Sequence, residues 1–372
     1  MKNFIIKHSQ FINISKIVCL LFSLSLINSS CKKDDDIDDN QYDKIQPKGA
    51  KPAWGPTLTA QMQTVIEALD TLAPVPIINL TPQQARQQPS AADAAVRVMT
   101  NFSIPQPAMK VDTSGRDIPV NGGTIHLTIY TPQTGKSSYP MIVYYHGGGW
   151  VIATNGTYHA SAQGLAERAE AVLISVEYRK GPEFKFPTAH NDAFAAYKWV
   201  LANASTIKGD SSKVAVAGES AGGNLAINVS IMARDSGIRK PVHQLAVYPV
   251  ASNDLNTASK IQYKDAKPLG TPALPWFLMH YLSSADQSAD KRISLVNASL
   301  TGLPKTTIIA AEIDPLLTEG KTLADRLQAA GVQTTYKLYN GVAHEFFGMA
   351  SVLPEARDAQ NLAASALKND FK

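Results

Sequence analysis

Ser220 stands between Gly218 and Gly222 at the end of the run Val214-Ala-Val-Ala-Gly-Glu-Ser, and an apolar helical pattern opens at Asn224. A strand that reverses sharply into a helix forces the residue at the bend into a strained conformation and projects its side chain, with the flanking glycines leaving it room. Such a serine becomes a nucleophile when a base within about 3 Å takes its proton. Taken alone, Gly-x-Ser-x-Gly is modest evidence, because any glycine-rich turn of this kind can hold a serine by chance. The company it keeps decides. Of the eight histidines, His344 in Gly341-Val-Ala-His344 is the best base, although a lone loop histidine is more often a solvated side chain. Asp314, in Asp314-Pro315 after a buried run, suits the acid that fixes the base's tautomer. Glu312 and Glu319 are its rivals, the first placed for a structural contact within a strand and the second at a helix start. Gly147, Gly148 and Gly149 follow His146; three glycines in a row pack nothing and belong where backbone N–H groups approach a ligand. Gly147, Gly148 and Ala221 can therefore donate to an oxyanion, each well-aimed donor being worth roughly 10²–10³ in rate. The chemistry of such a set is acyl transfer.

The elements that must hold these residues alternate. Ile125, Leu127 and Ile129 alternate with polar neighbours; Met141 to Tyr145, Ala171 to Val176, Val214 to Val216, Gln244 to Tyr248, Thr306 to Ala311 and Thr334 to Leu338 read as strands. Helices are expected over 191–203, from Asn224, over 321–330 and over 355–367. Strands alternating with helices predict an α/β fold with a mostly parallel sheet covered on both faces. Ser220, Gly147, Asp314 and His344 all fall just past strand ends, where such sheets gather ligands. From Trp54 to about Asn101, within a segment assigned as 54–115, the pattern is helical without a strand: Thr59 caps one helix, Thr81-Pro82 starts another, and Ala91 to Met99 forms a third. Together with an insertion at 251–286, they are expected to form a cap on a catalytic domain over 116–372.

Length and composition allow a sizeable core: 372 residues, 44% hydrophobic and 18% charged, with a net charge of +4. Nothing in that balance points to nucleic acid. Cys19 and Cys31 are the two cysteines, so no disulfide framework, cysteine metal site or cofactor is expected in the body. Lys2, Lys7 and Lys16 precede an apolar run from Ile17 to Ile27, well short of the roughly 20 residues a bilayer span needs. It reads as a signal peptide over 1–30. Ser29, Ser30 and Cys31 resemble the lipobox of bacterial lipoproteins, with Asn28 departing from it, which makes Cys31 the expected lipidated residue. A charged tether over 31–53 follows, and its acidic run resembles a surface-export tag. The expected location is the bacterial envelope, lipid-anchored, in the outer membrane; whether the acidic run is such a tag, with the protein surface-exposed, or a plain charged spacer is left open, as is a homodimer, and a secreted or periplasmic protein is the alternative.

Five stretches in order carry a wider resemblance: HGGGW at 146, EYRKGPEFKFP at 177, GESAGGN at 218, EIDPLLTEG at 312 and HEFF at 344. The chain resembles the hormone-sensitive-lipase-like esterases, bacterial lipase family IV, over about residues 55–368. The order serine, aspartate, histidine is also that of the α/β-hydrolase fold. The resemblance implies Ser220, Asp314 and His344 as triad, Gly147, Gly148 and Ala221 as oxyanion hole, and the helices from Trp54 as part of a cap over the acyl pocket. Two residues depart from the family pattern. Glu219 stands where Asp is usual, and Glu345 follows the histidine where Gly is usual, setting an extra carboxylate beside the base. His344-Glu345 does not extend to a zinc-binding HExxH, since Gly348 occupies the second histidine's place.

These readings predict a serine carboxylesterase for short acyl esters of small molecules or glycans, with an acetyl or feruloyl esterase of decorated polysaccharide as a variant. A catalytically silent ligand-binding protein is the rival from another class.

Overall fold

The computed structural model describes residues 40–372; the signal peptide, Cys31 and the first part of the tether lie outside them. Eight strands form one sheet: β1 (Val111–Val120), β2 (Gly123–Pro132), β3 (Tyr139–Tyr145), β4 (Val172–Glu177), β5 (Gly209–Glu219), β6 (His243–Val247), β7 (Lys305–Ile313) and β8 (Thr334–Ala343). Their order is β1-β2-β4-β3-β5-β6-β7-β8. β2 pairs antiparallel with β1 and β4, and every other pairing is parallel. The α/β fold with a mostly parallel sheet is thus as expected.

The pleat of β3 explains how both faces are covered. Ile142 and Tyr144 point into a core shared with Leu165 and Ala166 of the helix His159–Ala169 and with Ala359 and Ala363 of Pro354–Asp370. Met141, Val143 and Tyr145 point the other way, onto Ala193 and Tyr197 of Thr188–Asn203 and Leu225 and Val229 of Ala221–Asp235. Strands buried on both faces read as unbroken apolar runs, which is why β3, β4 and β7 stand out in the sequence.

Two boundaries differ from expectation. β1 starts at Val111, inside the stretch assigned to the helical cap, so the catalytic unit begins before residue 116. It is an edge strand in which only Val111 and Ile118 are buried, and its polar sequence gives no alternation to read. Residues 40–53 were expected to be tether, yet they pack on the body. Tyr42 and Ile45 are buried, Tyr42 Oη donates to Ala350 O at 2.6 Å and Gln41 Nε2 to Ser351 O at 2.8 Å. A tyrosine and an isoleucine in an otherwise charged segment find their partners only in the folded protein.

The two segments expected to make a cap both carry helices and touch each other. Thr59 Oγ1 accepts from Met62 N–H to start Ala60–Thr71, Thr81 and Gln84 form a capping box at Pro82–Ala85, and Ser90 and Asp93 do the same at Ala91–Asn101. The insertion supplies Ala258–Gln262 and Ala273–Tyr281. The two segments meet where Trp276 Nε1 donates to Leu80 O at 3.1 Å and Lys267 Nζ pairs with Asp70 Oδ1 at 2.5 Å. Arg86 anchors this cap to the body, its guanidinium bonding Val151 O, Gly181 O and both oxygens of Glu183.

Candidate active site

Ser220 lies between the end of β5 and the helix that starts at Ala221, with φ 55° and ψ −118°. A residue with a β-carbon held there stores roughly 1–3 kcal/mol, which persists only if its surroundings fix it. Both backbone polar groups are tied down: the N–H donates to Val247 O at 2.9 Å, and the carbonyl accepts from Asn224 at 3.1 Å and Val250 at 3.2 Å. Gly222 completes the turn. A Cβ on it would collide with the carbonyl oxygens of Tyr145 and His146, so only glycine lets the helix start lie against the end of β3.

Register brings the next two residues together. Ile313 pairs with Ala343 at the ends of β7 and β8, so the residues that follow, Asp314 and His344, emerge side by side. Asp314 Oδ2 lies 2.6 Å from His344 Nδ1, and Oδ1 accepts from Leu316 N–H at 2.8 Å. Asp314 is fully buried and His344 is 3% exposed. A carboxylate on Nδ1 fixes the tautomer with Nε2 free to accept a proton. Burial by itself pushes the imidazole down; the Asp314 charge and hydrogen bond, with Glu345 and Glu219 adding to them, outweigh it and hold His344 above its ordinary value of 6.5. Glu312 instead accepts from Thr57 Oγ1 at 2.9 Å and Gly341 N–H at 2.6 Å. Glu319 accepts from Ala251 N–H at 2.8 Å and pairs with the buried Lys260. Of the three carboxylates considered from the sequence, Asp314 is the one bonded to His344.

The glycine turn lies directly after β3. Gly147, Gly148 and Ala221 are buried, and among the described residues their N–H groups donate to no protein acceptor. Buried backbone donors are almost always paired, so these three are available to a ligand oxygen. Gly148 adopts φ 94°, and a Cβ on it would run into Ile152 O. The turn itself is sculpted around glycine.

Ser220, Gly148 and His344 open on one cavity of about 580 Å³. Leu69, Ile77 and Ala85 from the N-terminal cap segment and Leu274, Phe277 and Leu278 from the insertion line its apolar walls. That volume falls within the usual range for small-molecule sites, roughly 300–1,000 Å³. Among the described residues no group of three or more His, Cys, Asp or Glu side chains has the arrangement to hold a metal ion.

Sequence reasoning missed the tyrosines around these groups. Tyr144 and Tyr248 donate to the two oxygens of Glu219, and Tyr158 Oη donates to Glu345 Oε1 at 3.1 Å. Burial pushes the Glu219 carboxyl up, opposed by hydrogen bonds from Ser161, Tyr144 and Tyr248. Glu219 therefore points away from solvent into an aromatic pocket, where the extra methylene relative to Asp reaches two phenols. A tyrosine within an apolar strand or a loop carries no sequence sign of such a partner.

Residues 142–348 match the sequence profile of a family described by the alpha/beta hydrolase fold. This chain belongs to that family. It is 37% identical to the carboxylesterase NlhH of Mycobacterium tuberculosis over 68% of its own length and 78% of the relative's. It is 28% identical to an ethyl acetate hydrolase of Pseudomonas putida, over 84% of this chain and 98% of that one. The crystal structure of a thermostable esterase from Pseudomonas putida superposes with a TM-score of 0.77 at 32% identity, covering 85% of this chain and 98% of that chain. As an α/β hydrolase with relatives of this kind, the protein is a carboxylic ester hydrolase.

Proposed function

We propose that this α/β hydrolase is a serine carboxylesterase that cleaves short-chain acyl esters through an acyl-enzyme. The Asp314–His344 hydrogen bond, with His344 and the strained Ser220 lining one cavity, carries this reading. Ser220 Oγ attacks the ester carbonyl carbon while its proton passes to His344 Nε2. The oxyanion so formed takes N–H donors from Gly147, Gly148 and Ala221; the lack of competing protein acceptors for these groups supports this reading. Asp314 stabilises the imidazolium. Collapse of the intermediate expels the alcohol, which receives the proton from His344, and a water deprotonated by the same nitrogen then attacks the acyl carbon and frees Ser220.

The acyl group meets the apolar walls of a cavity of about 580 Å³, which suits small esters; the ethyl acetate hydrolase among the relatives is named for such a substrate. A panel of nitrophenyl esters of rising chain length tests this, run beside acetylated oligosaccharides and feruloyl esters. Acetate to hexanoate are expected to give the highest kcat/KM, and a maximum on long-chain esters or on the glycans would reject the short-chain assignment.

Protonation of His344 removes the acceptor that Ser220 needs, so activity falls on the acid side of that group. Since its neighbours hold the imidazole above 6.5, kcat/KM is expected to rise with pH along a limb whose midpoint lies above that value. A limb centred below 6.5 would mean that burial dominates in the free enzyme.

We further propose that Cys31, which lies outside the described residues, carries a lipid that anchors the enzyme to the bacterial envelope. The apolar core after Lys16 and the small residues before Cys31 support this reading. Expression with labelled palmitate is expected to label the wild type but not Cys31→Ser, and the variant is expected to leave the membrane fraction. Equal membrane retention of the two would remove the anchor.

A further inference from the structure

Glu345 follows the base directly, and no step of the acyl transfer above uses it. Its backbone is left-handed, with φ 67° and ψ 10°, a conformation that glycine adopts freely and other residues adopt at a cost. A strained position occupied by a carboxylate needs something to hold it. Tyr158 does so, donating to Oε1 at 3.1 Å, while Oε2 has no hydrogen-bond donor among the described residues. Glu345 lines the same cavity as Ser220 and His344.

Tyr158 connects this carboxylate to the other half of the site. It is 5% exposed, immediately ahead of the helix His159–Ala169. Its hydroxyl sits so close over Gly147 that a Cβ there would collide with it, and its ring centroid lies 6.0 Å from that of His146. An unbroken line of contact runs from the loop of the base, through Glu345 and Tyr158, to the turn that presents the oxyanion donors. Gly147 is in this view kept small for the tyrosine as well as for the substrate.

We propose that Glu345 is a positioning residue for ester hydrolysis, clasping the Gly147–Gly148 turn to the His344 loop through Tyr158 so that base and oxyanion donors keep a fixed spacing. This rests on the serine-esterase reading of Ser220 and His344. Rate is sensitive to such spacing, since a displacement of about 1 Å can cost roughly 10²-fold. The carboxylate also bears on the base electrostatically. The groups that face it are His344 at the end of β8, Asp314 at the end of β7, Glu219 at the end of β5, Tyr158 ahead of its helix and, through Glu219, Tyr144, Tyr248 and Ser161. Burial pushes the Glu345 carboxyl up, and His344 and Tyr158 oppose that; in return the Glu345 charge adds to that of Asp314 in raising His344. Removing the charge therefore moves the histidine down.

Glu345→Gln, Glu345→Gly and Tyr158→Phe, assayed on nitrophenyl acetate beside Ser220→Ala, test this. Glu345→Gln keeps the shape and is expected to lower kcat about tenfold with little change in KM, and to shift the acid limb of kcat/KM to lower pH. Tyr158→Phe is expected to lose a similar factor in kcat, and the double variant no more than either single one, because both break the same contact. Glu345→Gly releases backbone strain, so it is expected to melt no lower than the wild type while showing the same kcat loss, a combination that a merely structural role does not produce. Wild-type kcat and an unmoved limb in both Glu345 variants would overturn the clasp. If Ser220→Ala remains active, the serine-esterase reading falls and the clasp with it. If Ser220→Ala is dead while the Glu345 variants match the wild type, the clasp alone falls.

Discussion

Ser220→Ala is expected to lower kcat on nitrophenyl acetate by about 10⁵-fold and to leave the fold intact. The magnitude follows from the role: without Oγ there is no acyl-enzyme, and only the pocket and the oxyanion donors remain to assist direct attack by water. The fold should survive because the turn is held by its backbone bonds to Val247, Asn224 and Val250 and alanine accepts the same strained dihedrals about as well as serine. The cavity also keeps its shape, so KM or the affinity for a product analogue should change little. A fluorophosphonate probe should label the wild type with one equivalent and the variant not at all. Residual activity within about tenfold of wild type would remove Ser220 as the nucleophile, and a folded wild type that neither labels nor turns over would favour a silent ligand-binding protein.

Asp314→Asn comes next, with an expected loss of roughly 10³–10⁴ in kcat. Asparagine fills the same volume, so a fully buried site is neither emptied nor overpacked. It can, however, present its amide to Nδ1 and so favour the wrong tautomer, with the proton on Nε2 where the serine needs an acceptor. The acid limb should also drop, since burial pushes His344 down and Asp314 is the principal group opposing it. Glu345 and Glu219 remain near the histidine and set the floor of the loss. A variant with near-normal kcat would pass the orienting role to one of those two carboxylates, which the pH profile of Asp314→Asn combined with Glu345→Gln would then distinguish.

What could be read from the chain, and what could not, divides along a physical line. β3, β4 and β7 are buried on both faces and so announce themselves as apolar runs, and turns that demand glycine bracket Ser220 and follow His146. Residues fixed by short-range rules were therefore legible, as were the caps at Thr59 and Thr81. β1 was not, because an edge strand with two buried residues in ten satisfies its backbone by pairing with β2 and leaves its side chains free to be polar. The packed arm at 40–53 was not, because Tyr42 depends on the carbonyl of Ala350, 308 residues away. Tyr158 was invisible for the same reason. Its two partners, Gly147 and Glu345, lie on loops that only the sheet brings together.

The cap is assembled from stretches about two hundred residues apart, joined at Trp276–Leu80 and Lys267–Asp70, while every group assigned to the reaction sits on the sheet or the turns that leave it. On the proposed reading, bond breaking and substrate choice would rest on different segments, joined through Arg86 and Val151. Exchanges at Ile77 or Leu274 are expected to reshape what enters more than how it is cleaved, whereas Phe277, whose ring lies directly over Gly149, ties the roof to the glycine turn and is expected to touch both.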